Sequence, residues 1–126
     1  MAVARRFEFK RARLASTSAA VLADEHGLSA GVLDLRTLVP LDIEAIVAAV
    51  EHTGRAVVVS EAPQSAGFAA EVVATICEEA FYSLEAPVAR VGGYDVPYPV
   101  GMLEEHYVPD AARVVAAALR VCGGGA

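Results

Sequence analysis

Apolar and polar positions alternate here between strand-length runs and helix-period stretches, most clearly from Gly31 to Pro63. Val32, Leu33, Leu35 and Leu38 form an apolar run of strand length, ended by Pro40. Asp42 stands where a helix N-cap belongs. Ile43, Ile46, Val47 and Val50 follow at helical spacing, and Gly54 predicts the helix stop. Ala56 to Val59 is a second apolar run, after which Glu61-Ala62-Pro63 turns away. A strand, a helix and a strand predict one βαβ unit with parallel strands and a right-handed crossover.

The same pattern extends on both sides. Leu14 to His26 reads as a helix stopped by Gly27, although Ser16, Thr17 and Ser18 compete for its backbone. Residues 1–13 are atypical, with Phe7 and Phe9 alternating with charges as in an exposed edge strand. Gln64-Ser65-Ala66-Gly67 is a polar loop, and Phe68 opens the longest predicted helix, about Phe68 to Leu84. Its apolar side is predicted to hold Val72, Val73, Ile76, Cys77, Ala80, Phe81 and Leu84. Ala86-Pro87 breaks it, and Val88 to Val91 is a short strand. Gly92 to Pro99 is extended and rich in tyrosine and proline, and Met102 to Tyr107 reads as a single helical turn. Pro109 is expected in the first turn of a last helix running to about Val121. Residues 14–122 then form one domain, and 123–126 read as a disordered tail. The alternation of strands and helices predicts an α/β fold of three layers, α/β/α, around a mostly parallel sheet.

Charge changes the picture. Of the ten basic residues, five (Arg5, Arg6, Lys10, Arg11 and Arg13) fall in residues 1–13, while residues 14–126 carry 15 acids against five bases, a net of −10. An acidic body argues against nucleic-acid binding and suits a basic protein partner, or simply a well-solvated surface. No apolar run reaches the length of a membrane helix. Two cysteines far apart, Cys77 and Cys122, fit a reducing, cytoplasmic setting.

Candidate chemistry is sparse. His26, His52 and His106 are dispersed, without a carboxylate or cysteine at ligand spacing, and read as surface histidines at helix ends. Ser60 is placed at the carboxyl end of a strand, but Val-Ser-Glu-Ala-Pro lacks the glycines of a nucleophile elbow. Gly92-Gly93 opens no helix and is not a dinucleotide loop. Gln64 to Phe68 precedes a helix and reads either as an anion-holding N-terminus or as a turn and a helix start. Expected catalytic, cofactor-binding and metal residues in this chain: none.

Taken together, several short motifs resemble one family. Asp34-Leu35-Arg36-Thr37-Leu38, Pro40-Leu41-Asp42, Thr53-Gly54-Arg55, Glu61-Ala62-Pro63 and Gly67-Phe68-Ala69-Ala70-Glu71 resemble the transketolase C-terminal domain. Narrowly, they are similar to the beta subunit of the thiamine-dependent decarboxylating component of 2-oxo acid dehydrogenases. Glu78-Glu79-Ala80-Phe81, Leu84-Glu85-Ala86-Pro87-Val88, Arg90-Val91, Gly93-Tyr94-Asp95 and Tyr107-Val108-Pro109-Asp110 continue the match. Glu-Ala-Pro and Gly-Tyr-Asp look more like the branched-chain than the pyruvate type. The resemblance implies thiamine diphosphate and magnesium in the full enzyme, held by a preceding domain that these motifs do not include. It implies an alpha subunit and a dihydrolipoyl acyltransferase as partners. It also places an apolar strand before the first helix, where this chain has Phe7 to Leu14, so the expectation is a truncated paralogue or a fragment with an incomplete sheet.

Three readings of function remain. The first is an assembly and docking domain, catalytically silent alone and homo-oligomeric, with neither nucleic acid nor membrane as a partner. Its interface residues would be Gln64, Ser65, Gly67, Phe68, Tyr94, Asp95, Tyr98, Glu104, Glu105 and Tyr107, with the last three tyrosines taken as exposed. Small residues Ala69, Ala70 and Ala74 would let the Phe68 helix approach a symmetric copy. The plainer reading is that Gly92 to Tyr107 packs only on its own domain. The second reading is a free-standing small-ligand or regulatory module using the cleft near Ser60 to Phe68. The third is an enzyme in its own right.

Overall fold

The computed structural model describes residues 2–6, 12–99 and 101–123. Four strands form one wholly parallel sheet in the order β2-β1-β3-β4: β1 (Ala2–Arg6), β2 (Gly31–Leu35), β3 (Ala56–Pro63) and β4 (Ala89–Gly93). Long helices α1 (Ala12–His26), α2 (Ile43–Thr53), α3 (Phe68–Glu79) and α5 (Ala111–Val121) connect and cover them, with a short α4 (Glu104–Tyr107) before the last.

β3 explains the layering. Residues 56–60 are all buried, as expected for an interior parallel strand covered on both faces. Alternation sends Val57 and Val59 into one core and Ala56 and Val58 into the other. The first core is closed by Ala15 and Leu22 of α1 and by Val114, Ala117, Ala118 and Val121 of α5. The second is closed by Ile46 and Val50 of α2 and by Val72 and Ile76 of α3. That is the three-layer α/β/α arrangement expected from the pattern.

Local signals account for the helix ends. Asp42 caps α2 by accepting the Ala45 amide at 3.0 Å. Gly54 ends it at φ 66°, a left-handed conformation, and its N–H returns to the Val50 carbonyl at 2.7 Å. Ser18 is buried in α1, yet its hydroxyl donates to the Leu14 carbonyl at 2.8 Å, so a polar residue costs little there.

Several expectations need correction. The sheet is not missing its first strand: Ala2–Arg6 forms β1, which lies inside the sheet between β2 and β3. Ala-Val-Ala-Arg-Arg has one β-branched residue and two arginines, so it gives little strand signal. The expected edge strand around Phe7 and Phe9 lies outside the described residues. β2 and β3 are parallel, but β1 separates them. β2 ends at Leu35, so Leu38 belongs to the following loop, where it bridges Leu41 around the cis Val39–Pro40 bond. The last strand starts at Ala89, one residue later than expected, and runs to Gly93. α3 stops at Glu79, and Phe81–Ser83 is a separate 3-10 turn. Phe81 is therefore exposed rather than inward, and Cys77, inside α3, is exposed as well. α5 begins at Ala111 with Asp110 as N-cap, accepting the Arg113 amide at 2.8 Å, so Pro109 precedes the helix instead of opening it. Gly123 lies in a turn, and the rest of the expected tail, 124–126, falls outside the described residues.

Candidate functional site

Polar and aromatic residues gather at the carboxyl ends of β3 and β4, where open α/β sheets place their ligands. The approach is close because two glycines allow it. A Cβ on Gly93 would stand 2.6 Å from the Tyr107 ring and 2.7 Å from the Glu61 carbonyl oxygen. A Cβ on Gly67 would run into the Pro63 carbonyl. The β3–α3 loop and the stretch after β4 therefore fold tightly against the strand ends.

Asp95 ties these two segments together. Its Oδ2 accepts the Ser65 hydroxyl at 2.7 Å, and its Oδ1 accepts the Ser65 amide at 3.0 Å. The Ser65 hydroxyl first, then the Ser65 amide and the charge of Arg90, hold the Asp95 carboxyl below the ordinary 3.8. Arg90 fixes the same loop from below, donating to the Gln64 carbonyl at 3.0 Å. Arg113, reaching up from α5, donates to the Gly92 carbonyl at 2.7 Å and lies 4.7 Å above the Tyr94 ring. Tyr98 donates to Glu104 at 2.5 Å and meets Tyr107 edge-on at 4.9 Å between centroids.

The ten predicted interface residues do not share one fate. Gln64, Ser65, Asp95, Glu104 and Glu105 are exposed, and Tyr94 and Tyr98 are each 52% exposed. Gly67 and Phe68 are half-buried. Tyr107 is not exposed: at 4% it is a core residue filling the space that Gly93 leaves. On α3, Ala69 faces the core while Ala74 is exposed, so the three small residues do not form one outward stripe.

Two features escaped the sequence reading. Arg90 and Arg113 organise the site, but a lone arginine carries no positional signal. Phe81 and Tyr82, an edge-on pair at 5.5 Å, are 60% and 99% exposed. Their helical periodicity with α3 hid this, because α3 ends two residues before Phe81. Glu78, Glu79 and Glu85, all exposed, flank the pair in sequence.

Ser60 and the three histidines lie on separate elements. Ser60 is buried, and its Oγ accepts the Ala62 amide at 3.1 Å. His26, His52 and His106 are exposed on three different helices. No three His, Cys, Asp or Glu side chains among the described residues cluster as a metal site, and no described helix is long and apolar enough to cross a membrane. An open groove of about 820 Å³ runs between the loop after β2 and the start of α3, lined by Leu38, Val39, Leu41, Ile43, Phe68 and Glu71 among others.

The model of the family "Transketolase, C-terminal domain" matches residues 13–114. The chain belongs to that family. Relatives include the pyruvate dehydrogenase E1 component subunit beta of Leifsonia xyli subsp. xyli, 50% identical over 97 residues, which are 77% of this chain and 29% of that protein. The 2-oxoisovalerate dehydrogenase subunit beta of Pseudomonas aeruginosa is 52% identical over 99 residues, 79% of this chain and 28% of that one. The 3-methyl-2-oxobutanoate dehydrogenase subunit beta of Mycobacterium tuberculosis is 45% identical over 107 residues, 85% and 31% of the two chains. The chain thus spans less than a third of the length of these relatives. Among solved structures, a split-gene transketolase described as an inactive beta4 tetramer aligns at TM-score 0.77 and 29% identity, over 97% of this chain and 38% of that one. Resemblance to 2-oxo acid dehydrogenase beta subunits, expected from the motifs, is therefore shown, and with it the parallel α/β/α fold.

Proposed function

We propose that this chain is an assembly and docking domain of the beta subunit of a 2-oxo acid dehydrogenase decarboxylating component, of the branched-chain type, silent in catalysis by itself. One observation carries the reading: Tyr94 and Tyr98 are exposed beside Asp95, Glu104 and Glu105, on a segment fixed by hydrogen bonds and a buried tyrosine. Pre-ordered tyrosines offer contact area without further loss of loop freedom, and surrounding carboxylates select a basic partner. The acyltransferase's basic binding domain is that partner, and the alpha subunit is the other. Phe81 and Tyr82, exposed and flanked in sequence by Glu78, Glu79 and Glu85, offer a second surface of similar composition. The tetrameric split-gene relative supports homo-oligomerisation here. The identities to pyruvate and 2-oxoisovalerate subunits, 50% and 52%, lie too close together to choose the oxo acid, so the branched-chain assignment rests on the Glu61-Ala62-Pro63 and Gly93-Tyr94-Asp95 motifs.

Calorimetric titration against a basic subunit-binding domain tests this. Tyr98→Ala, and separately the Glu104→Lys, Glu105→Lys pair, should weaken binding, the charge swap more at low salt. Tyr82→Ala identifies which surface is used. Unchanged binding in all three variants would refute docking at either place. Titration with thiamine diphosphate and magnesium should give no saturable heat at micromolar cofactor. A small-ligand module is the second reading, favoured by the groove of about 820 Å³. Thermal stabilisation by a small organic acid, without a partner protein, would select it.

A further inference from the structure

We draw no further inference here: the strongest candidate, the open apolar groove between the Leu38–Ile43 loop and the first turns of α3, is an unpartnered face, and nothing in the structure shows what covers it.

Discussion

Two aromatic regions lie at different places on this domain and are held in opposite ways. From Tyr94 to Tyr107 every ring is engaged: Tyr94 lies under Arg113, Tyr98 donates to Glu104, and Tyr107 is buried against Gly93 and Tyr98. Phe81 and Tyr82 contact each other edge-on, and their turn is held instead by backbone. Ser83 and Leu84 amides return to Ala80 and Phe81, and the Glu85 amide donates to the Gly54 carbonyl at 2.7 Å. In the first region, side chains fix the segment and only part of each exposed ring is left for a partner. In the second, main chain fixes the segment, and Tyr82 is left almost wholly uncovered while Phe81 is 60% exposed. Tyrosine content alone does not distinguish an anchor from a contact surface; the difference lies in what each ring touches.

Removing the anchor should break the contrast most visibly. Tyr107→Ala empties a buried site and removes the edge-on contact with Tyr98, at a cost of about 3 kcal/mol. Tyr82→Ala, at a 99% exposed position, should change stability by no more than about 0.5 kcal/mol. Urea denaturation of both variants checks the pair. Equal midpoints would show that Tyr107 anchors nothing.

The opposite change tests the same packing from the backbone side. Gly93→Ala adds a methyl against the Tyr107 ring and the Glu61 carbonyl, and the carbonyl cannot swing away as a flexible side chain can. Overpacking of this kind should destabilise by about 2 kcal/mol. A melting temperature within a degree of the parent would mean that the strand end yields easily.

How much of this was legible in the sequence depended on the kind of signal. The first half of β3, Ala56 to Val59, and helix α2 were clear, because four consecutive apolar residues and an Asp42–Gly54 cap pair are local, but Glu61-Ala62-Pro63, expected to turn away, continues the strand past a register shift. β1 was not, because its place between β2 and β3 is set by long-range pairing of Ala2–Arg6, a stretch with weak strand propensity. For the site, Tyr94, Asp95 and Tyr98 read as one segment and Ser65 as part of a separate loop, and the Ser65–Asp95 link across 30 residues gives no sequence signal. Tyr107 reads as exposed in sequence because the glycine that receives it stands 14 positions earlier, at Gly93. Phe81 reads as core because periodicity does not reveal where a helix ends without a capping residue, and Ala80 is no such signal.

Gly54 sharpens the account of the Phe81–Tyr82 corner. Its φ of 66° disfavours any side chain, and a Cβ there would stand 2.8 Å from the Glu85 Cγ. Glu85 also pairs with Arg55 at 3.1 Å, an exposed contact that adds little by itself. Gly54→Ala should therefore cost about 1 kcal/mol, through backbone strain rather than the ion pair. Arg55→Ala should cost less. Thermal melts of the two variants rank these contributions, and a larger loss for Arg55→Ala would reverse the assignment.

The smallest expected effect concerns the exposed Asp95 latch, and it is read best as a pH dependence. The Ser65 hydroxyl and amide favour the ionised carboxylate, so Asp95 titrates below its ordinary 3.8 in the folded chain. A group whose carboxyl is held down on folding contributes stability above the unfolded value and loses it as pH falls through the folded value. The parent should therefore melt slightly above Asp95→Ala at neutral pH. That gap should stay level until pH approaches 3.8, then narrow with further acidification and close once the parent carboxyl is protonated. Ser65→Ala removes the hydroxyl but keeps the amide, so its curve should lie between the other two. Salt should shift the gap only slightly, because short hydrogen bonds, not the Arg90 charge, are the main cause. A gap that persists unchanged into strong acid would mean that Asp95→Ala acts through the backbone of the segment, and that Tyr94 to Tyr107 is held without the latch.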